Sequence, residues 1–539
     1  MSVALPRGRR GGGATGGTLR SLALGTAVVL VILAVWCAVA FAFSSSGIVP
    51  YPTTLVAQLI ADADLLLRGA SVTLQVAGSG LLAAVAVMVP LAALCLLLPV
   101  SEPVVMRVAI VIHAIPFVAI APILIVALAP DTSRIVITAL QVYFPLLVGL
   151  LLGLRSTDSA ALDVVTASGG RNLARLRFVR AASAVPQLVA GLQIAVPAAV
   201  LGAVISEFFG ADKGLGAIIV NSQQAFLTDR TWAVAVFIGA IAALGYGVIA
   251  LLARVLLPWA GRGAGVGTGV AGSETSRLPR WQALIAAAVS LVLLVGFWQA
   301  LRSVFDLPAF FTKTPGEIVE FLVAGNPLTG EPASAFWGAF GGGLGQTLLD
   351  AVVGFAVGTV LAVAAAVLFA ALPALGRTLM PFAIVLRSIP LLALTPLLMV
   401  VFGRGLLGVT VLVTLVTFFP TLVTVSAGLR SAPDGALDVI RASGGSSSRA
   451  AVLVRIPYAL PSITASARIA VPAAISGATL AEWLATGKGL GQLLTQSSIS
   501  ADYFALWAAG VLLVVVALVA YAAIGWLDRV VTARLGIAA

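Results

Sequence analysis

Two glutamates, Glu207 and Glu482, are followed at equal distance by Lys213-Gly214-Leu215-Gly216 and Lys488-Gly489-Leu490-Gly491. A carboxylate ahead of a glycine-rich turn can accept backbone N–H bonds, fix a loop, or offer charge to a partner. Each glutamate closes a longer copy. Ala161 to Gly216 recurs as Ala436 to Gly491 at a constant offset, 482 − 207 = 275, with ALDV, ASGG, IAVPAA and KGLG shared. About half of the positions are identical, which common apolar composition does not produce and an indel-free duplication does. Inside each copy a polar, Arg-containing loop holds Asp163 with Gly169-Gly170, or Asp438 with Gly444-Gly445. A further set sits within apolar runs: Arg387 and Arg468, with His113 and Gln193 at the matching places of the first copy. A charge at membrane depth costs at least about 2.5–3.5 kcal/mol, so it faces a partner or a wet cavity unless it snorkels to the interface.

Other chemistry is excluded. One histidine and no carboxylate cluster within the apolar runs argue against a membrane hydrolase. Cys37 and Cys95 lie in apolar runs and form no metal spacing. No G-x-x-x-x-G-K-[ST] is present, and Gly487-Lys488-Gly489 lacks the hydroxyl residue, so the chain has no nucleotide site of its own.

The elements that must position these residues are membrane helices. Hydrophobic residues make up 60% of the 539 and charged residues 9%, where a soluble domain carries roughly 25% charged. The expected class is an all-α polytopic membrane protein of about 12 transmembrane helices in two parallel six-helix repeats. Spans are expected near 21–43, 71–98, 103–129, 134–154, 187–208 and 232–259, then 281–301, 344–372, 375–402, 406–429, 461–484 and 503–527. The run at 21–43 exceeds a signal-peptide core and reads as a retained helix. This divides the chain into a basic tail (1–20), a first repeat (21–260), a polar linker (261–280) and a second repeat (281–539). An even number of spans per repeat gives both copies one orientation. The net charge of +11 then marks cytoplasmic loops, including those holding Arg171, Arg175, Arg441 and Arg449, and places both termini in the cytoplasm. Basic residues scattered between apolar runs exclude nucleic acid as a partner. Pro116, Pro197, Pro390 and Pro472 stand inside expected spans, as packing kinks or as the walls of a cavity.

The loops at 156–186 and 431–461 resemble the EAA loop of the permease subunits of ABC importers. Asp163-Val164-Val165 and Asp438-Val439-Ile440 stand at the triplet, with Asp in place of Glu. Gly169 and Gly444 stand at the glycine, and Val454 with Ile456-Pro457 at the closing element. The first copy departs there, with Val179 followed by Ala181-Ala182. Arg387-Ser388-Ile389-Pro390, Pro461, Ala481-Glu482 and Gly489-Leu490-Gly491 are similar to the nitrate, sulfonate, taurine and pyrimidine-precursor branch.

This resemblance implies a type I importer permease of a bacterial inner membrane, with Asp163, Gly169, Gly170, Asp438, Gly444, Gly445 and Pro457 in two helices that couple to a cytoplasmic ATPase. A carboxylate early in each loop suits a helix N-terminus, and the paired glycines suit the turn after it. Two ATPase copies and an extracytoplasmic solute-binding protein are the implied partners, with ATP and Mg on the ATPase and no cofactor in this chain. The implied solute is a small organic anion or a pyrimidine-like compound, passing His113, Gln193, Arg387 and Arg468. Glu207, Gly214, Gly216, Glu482, Gly489 and Gly491 then belong to an external gate or docking site, or only fix the loops by backbone hydrogen bonds. The competing class is an ion-coupled secondary transporter with two parallel halves. It wants a carboxylate near mid-depth, whereas both glutamates stand at the ends of their spans.

Overall fold

The computed structural model describes residues 26, 29–31, 33–44, 47–115, 117–155, 157–259, 279–304, 306–372, 375–376, 379–380 and 391–534. Within a bilayer every backbone N–H and C=O needs an internal partner, and this apolar chain meets that demand with helices. The first half contains α1 (Pro52–Ala61), α2 (Ala63–Leu97), α3 (Glu102–Ala114), α4 (Phe117–Ala127), α5 (Pro130–Arg155), α6 (Ser159–Ala167), α7 (Ala181–Phe208), α8 (Leu215–Gln224) and α9 (Thr228–Leu256). The second contains α10 (Arg280–Val304), α11 (Pro315–Ala324), α12 (Ala333–Ala371), α13 (Leu391–Phe402), α14 (Leu406–Arg430), α15 (Asp434–Ala442), α16 (Ile456–Ala481), α17 (Gly489–Ile499) and α18 (Tyr503–Arg534).

Among the described residues, nine helices are long and apolar enough to cross a membrane. The apolar helix Val29–Ala42 is shorter and stands where the first span is expected. The expected continuous span at 103–129 is instead two helices, α3 and α4. Ile115 between them is extended, with φ −67° and ψ 119°. It precedes Pro116, whose ring disfavours helical geometry in the residue before it. The matching stretch of the second half lies mostly outside the described residues, which resume within α13 at Leu391.

Each half is built around its fourth span. In the first, α5 packs between α2 and α7; in the second, α14 packs between α12 and α16. The seam is set by small residues, the usual device where lipid offers no hydrophobic drive. A Cβ on Gly80 would lie 2.4 Å from the Thr138 Cβ, and one on Gly354 would lie 2.4 Å from the Val413 Cβ. Both glycines therefore let α2 and α12 approach at one matching point. Leu146, Leu147 and Ile238 are fully buried in the first core, as are Leu412 and Leu494 in the second.

The halves also exchange contacts. Helix α10 packs on α3, α18 on α3 and α4, and α13 on α8 and α9. At the ends of α7 and α16, Phe209 meets Trp483 edge-on across the two halves, ring centroids 5.8 Å apart.

Candidate functional site

The loop helices have the same stop and different starts. After α6, Gly169 has φ +80° and Gly170 N–H donates to the Val165 carbonyl at 2.8 Å; after α15, Gly444 has φ +71° and Gly445 N–H donates to the Ile440 carbonyl at 2.8 Å. These positive φ values place Gly169 and Gly444 where L side chains are strained. The N-terminal carboxylates are not the expected ones. Asp158 caps α6, accepting from Ala160 N–H at 2.9 Å, and Asp434 occupies the first turn of α15. Asp163 and Asp438 stand mid-helix and exposed, because each helix starts four residues ahead of its triplet. Asp438 pairs with Arg441 at 2.9 Å. Wide-wound turns at Leu176–Arg180 and Ala451–Arg455 run directly into α7 and α16, with Pro457 in the first turn of α16. Each loop is thereby continuous with a membrane helix. Val164, Phe178, Val439 and Val452 are more than half exposed on these loops, an apolar surface suited to a protein partner.

At the far ends of α7 and α16 the two glutamates are buried, not presented at a surface. The Thr73 hydroxyl donates to Glu207 Oε2 at 2.9 Å, Gly216 N–H donates to the same oxygen at 2.9 Å, and Leu215 N–H donates to Thr73 Oγ1 at 2.9 Å. The second half repeats this knot. Thr347 donates to Glu482 Oε2 at 2.8 Å, Gly491 N–H to Glu482 Oε2 at 2.9 Å, and Leu490 N–H to Thr347 Oγ1 at 2.9 Å. The first N–H groups of α8 and α17, orphans of any helix start, are satisfied in this way. Gly214 (φ +109°) and Gly489 (φ +80°) are required beside the carboxylates: an added Cβ would fall 2.2 Å from the Glu207 Cδ and 2.1 Å from the Glu482 Cδ. Each knot ties the second span, the fifth span and the following short helix at one point. Asp350, one turn beyond Thr347, is also buried and accepts from Gln346 at 3.1 Å.

The pathway candidates separate. His113 stands near the end of α3 at the helix break, and its ring stacks on Phe144 at 4.3 Å. Gln193 is half-buried in α7. Arg387 lies outside the described residues. Arg468 is held within the second half: Nη2 donates to the Tyr521 hydroxyl at 3.3 Å, the guanidinium lies 5.0 Å from that ring, and Nη1 is 3.9 Å from Asp528 Oδ2. Thr73, Thr347, Tyr521 and Asp528 were not singled out from the sequence. The duplication held a signal for the threonines, since 347 − 73 = 274 and each stands near the start of the second span of its half. Among the described residues no group of three His, Cys, Asp or Glu side chains could hold a metal ion.

Comparison with known proteins adds the family. The family model described as "Binding-protein-dependent transport system inner membrane component" matches twice, at residues 90–262 and 354–533, more than half of the chain. The riboflavin transport system permease protein of Chloroflexus aurantiacus is 30% identical over 254 residues, 46% of this chain and 89% of that one. The formylaminopyrimidine transport permease protein of Halalkalibacterium halodurans is 30% identical over 148 residues, 27% and 59% of the two chains. The nitrate import permease protein of Synechococcus elongatus is 25% identical over 222 residues, 40% and 77% of the two. No solved structure matches.

Proposed function

Because this chain belongs to the binding-protein-dependent transport system inner membrane component family, we propose that its two repeats, 21–260 and 281–539, form one complete translocation unit. It is a multi-pass membrane permease of an ABC importer, and ATP hydrolysis is carried out by a separate ATPase. The ion-coupled alternative has no support from the family or the relatives. The observation that carries the reading is the double match of one family model, since each copy brings its own loop helix, glycine stop and continuous run into a membrane helix.

On this reading two ATPase copies dock one on each loop. Asp163, Gly169 and Gly170 serve one contact, and Asp438, Gly444, Gly445 and Pro457 the other. Both termini are cytoplasmic, following the placement of Arg in the loops. A solute-binding protein delivers cargo at the opposite face, where Glu207 with Gly214 and Gly216, and Glu482 with Gly489 and Gly491, hold the helix ends that form the mouth. The cargo is a small organic anion or pyrimidine-like solute, a class consistent with relatives named for formylaminopyrimidine and nitrate. His113 lines its path together with Arg387, and the Arg468–Gln193 positions shape the fifth spans. Mg and ATP bind the ATPase. The test is co-expression with candidate ABC ATPases of the same organism, purification in detergent, and reconstitution in nanodiscs. A stoichiometric complex whose ATP hydrolysis rises with the binding protein is expected. A chain that purifies alone and transports with an ion gradient would overturn the reading.

A further inference from the structure

The two loop helices are anchored very differently. Around α15, Ala432, Leu437, Ala450 and Val454 are all buried and form a separate small core, with Ala436 and Ile440 packed against it. That core joins α15 to the wide-wound turn that leads into α16. The same turn is tied to α12, where Arg455 Nη1 donates to the Ala370 carbonyl at 2.9 Å. Around α6 no residue of the helix is buried. The matching positions, by the 275 offset, are Thr157, Leu162, Arg175 and Val179. Arg175 stands where Ala450 closes the second core, and its guanidinium turns outward to the Thr166 hydroxyl, with Nε at 2.9 Å. A guanidinium cannot be enclosed among Leu and Val side chains without a large desolvation cost, and among the described residues the first loop has no equivalent core.

We propose that the loops are unequal transmitters: α15, locked to α16 through Leu437, Ala450 and Val454, carries the ATP-driven displacement into the membrane, while α6 docks its ATPase compliantly. This rests on the loops being the ATPase contacts. A rigid element passes on displacement, whereas a helix with no buried side chain, held by a turn and the surface hydrogen bonds of Arg175, absorbs it in local motion. Leu437, Ala450 and Val454 are positioning residues, since they act through the helix and touch neither nucleotide nor solute.

The experiment exchanges residues between the copies in the assembled complex with its ATPase and binding protein in nanodiscs. Ala450→Arg is expected to lower binding-protein-stimulated ATP hydrolysis about tenfold, as a buried unpaired charge opens the core. Leu437→Ala is expected to act in the same direction, while Leu162→Ala and Arg175→Ala change the rate less than about twofold, as changes at sites outside a packed core do. Co-purification of the ATPase is expected to persist in all four. Equal losses from the matching variants of both loops would overturn the inequality and leave the docking reading standing. No effect from any variant, with the ATPase still bound, would overturn both. Amide hydrogen exchange on the unmodified complex is an independent check: α15 is expected to exchange more slowly than α6 by at least about tenfold, and matched rates would overturn the proposal even if Ala450→Arg failed to fold.

Discussion

The knot at Glu207 and the knot at Glu482 are nearly superimposable in chemistry, whereas a few turns away the two halves have parted. Every hydrogen bond of the first knot has its partner in the second within about 0.1 Å. By contrast Arg468, Tyr521 and Asp528 correspond to Gln193, Tyr246 and Ala253. The tyrosine is kept, and the ion pair has been replaced as a pair by Gln and Ala. Removing only one partner leaves the other charge unmatched, and neither half carries such a lone partner at these positions. The duplication has thus held fixed what closes the helix ends and varied what sits along the spans. A polar group that satisfies backbone donors tolerates no substitute, but a side-chain pair can be exchanged whole.

The sharpest way to break this comparison is to remove the carboxylates. Glu207→Ala and Glu482→Ala each strand a buried threonine hydroxyl and a helix-start N–H. Each should cost about 3–5 kcal/mol, at the upper end of single-site effects. Thermal unfolding in detergent should show the two losses equal, and a clear difference would mean the knots are alike only in appearance. Gly214→Ala and Gly489→Ala come next, at about 2–3 kcal/mol, because a Cβ enters the carboxylate from a backbone unsuited to it.

The ion pair offers a sharper contrast. Arg468→Gln alone should destabilise the second half by about 1 kcal/mol, and the triple variant Arg468→Gln, Thr464→Val, Asp528→Ala, which copies the first half, should recover at least half of it, since the Thr464 hydroxyl also donates to Asp528. Additive losses in the unfolding cycle would show that the pair is not the unit of change.

The smallest effect concerns the tether after the first short helix. In the first half Arg230 grips Asp62 with two bonds, 2.7 and 2.8 Å, while in the second Asn326 donates to Asp502 at 3.1 Å. The Arg230 hydrogen bond holds the Asp62 carboxyl below the usual carboxylate range, although burial opposes it. A carboxyl lowered in this way contributes stability that is present above its unfolded value, near 3.8, and is lost as pH falls through the folded value. Asp62→Asn should therefore cost about 1 kcal/mol at neutral pH and progressively less on acidification, whereas Asn326→Asp, which sets a second carboxylate against Asp502, should destabilise the second half at neutral pH and be relieved as pH falls.

The sequence made the frame legible because duplication and hydropathy are both averages over many residues. The loop glycines were legible too, as ASGG recurs and only a left-handed turn explains a repeated glycine after a helix. The burial of Glu207 and Glu482 was not. Each follows an apolar run, where a carboxylate reads as the emergence of the chain into water, and the threonine that draws it inward lies 134 or 135 residues earlier. The start of α6 was misplaced for a local reason: Asp163 stands in the motif, but Asp158 is the residue with the extended backbone a cap needs. Arg468 looked like an open cation because Asp528 sits in the last apolar run, where pairing depends on how α16 and α18 lie together.

That pairing has a consequence in the order of synthesis. A chain emerging at about 5–20 residues per second delivers Arg468 several seconds ahead of its partners, for Tyr521 follows 53 residues later and Asp528 later still. During that interval α16 holds a cation that nothing in its own half yet answers. Glu207 and Glu482 face no such wait, since Thr73 and Thr347 are already inserted when each carboxylate arrives. Each knot can therefore close as soon as the short helix after it is made, whereas the charged pairs of both halves wait for a last helix: Asp62 for Arg230, 168 residues on, and Arg468 for Asp528. A ribosome that stalls before Asp528 leaves α16 carrying a charge in search of a neighbour.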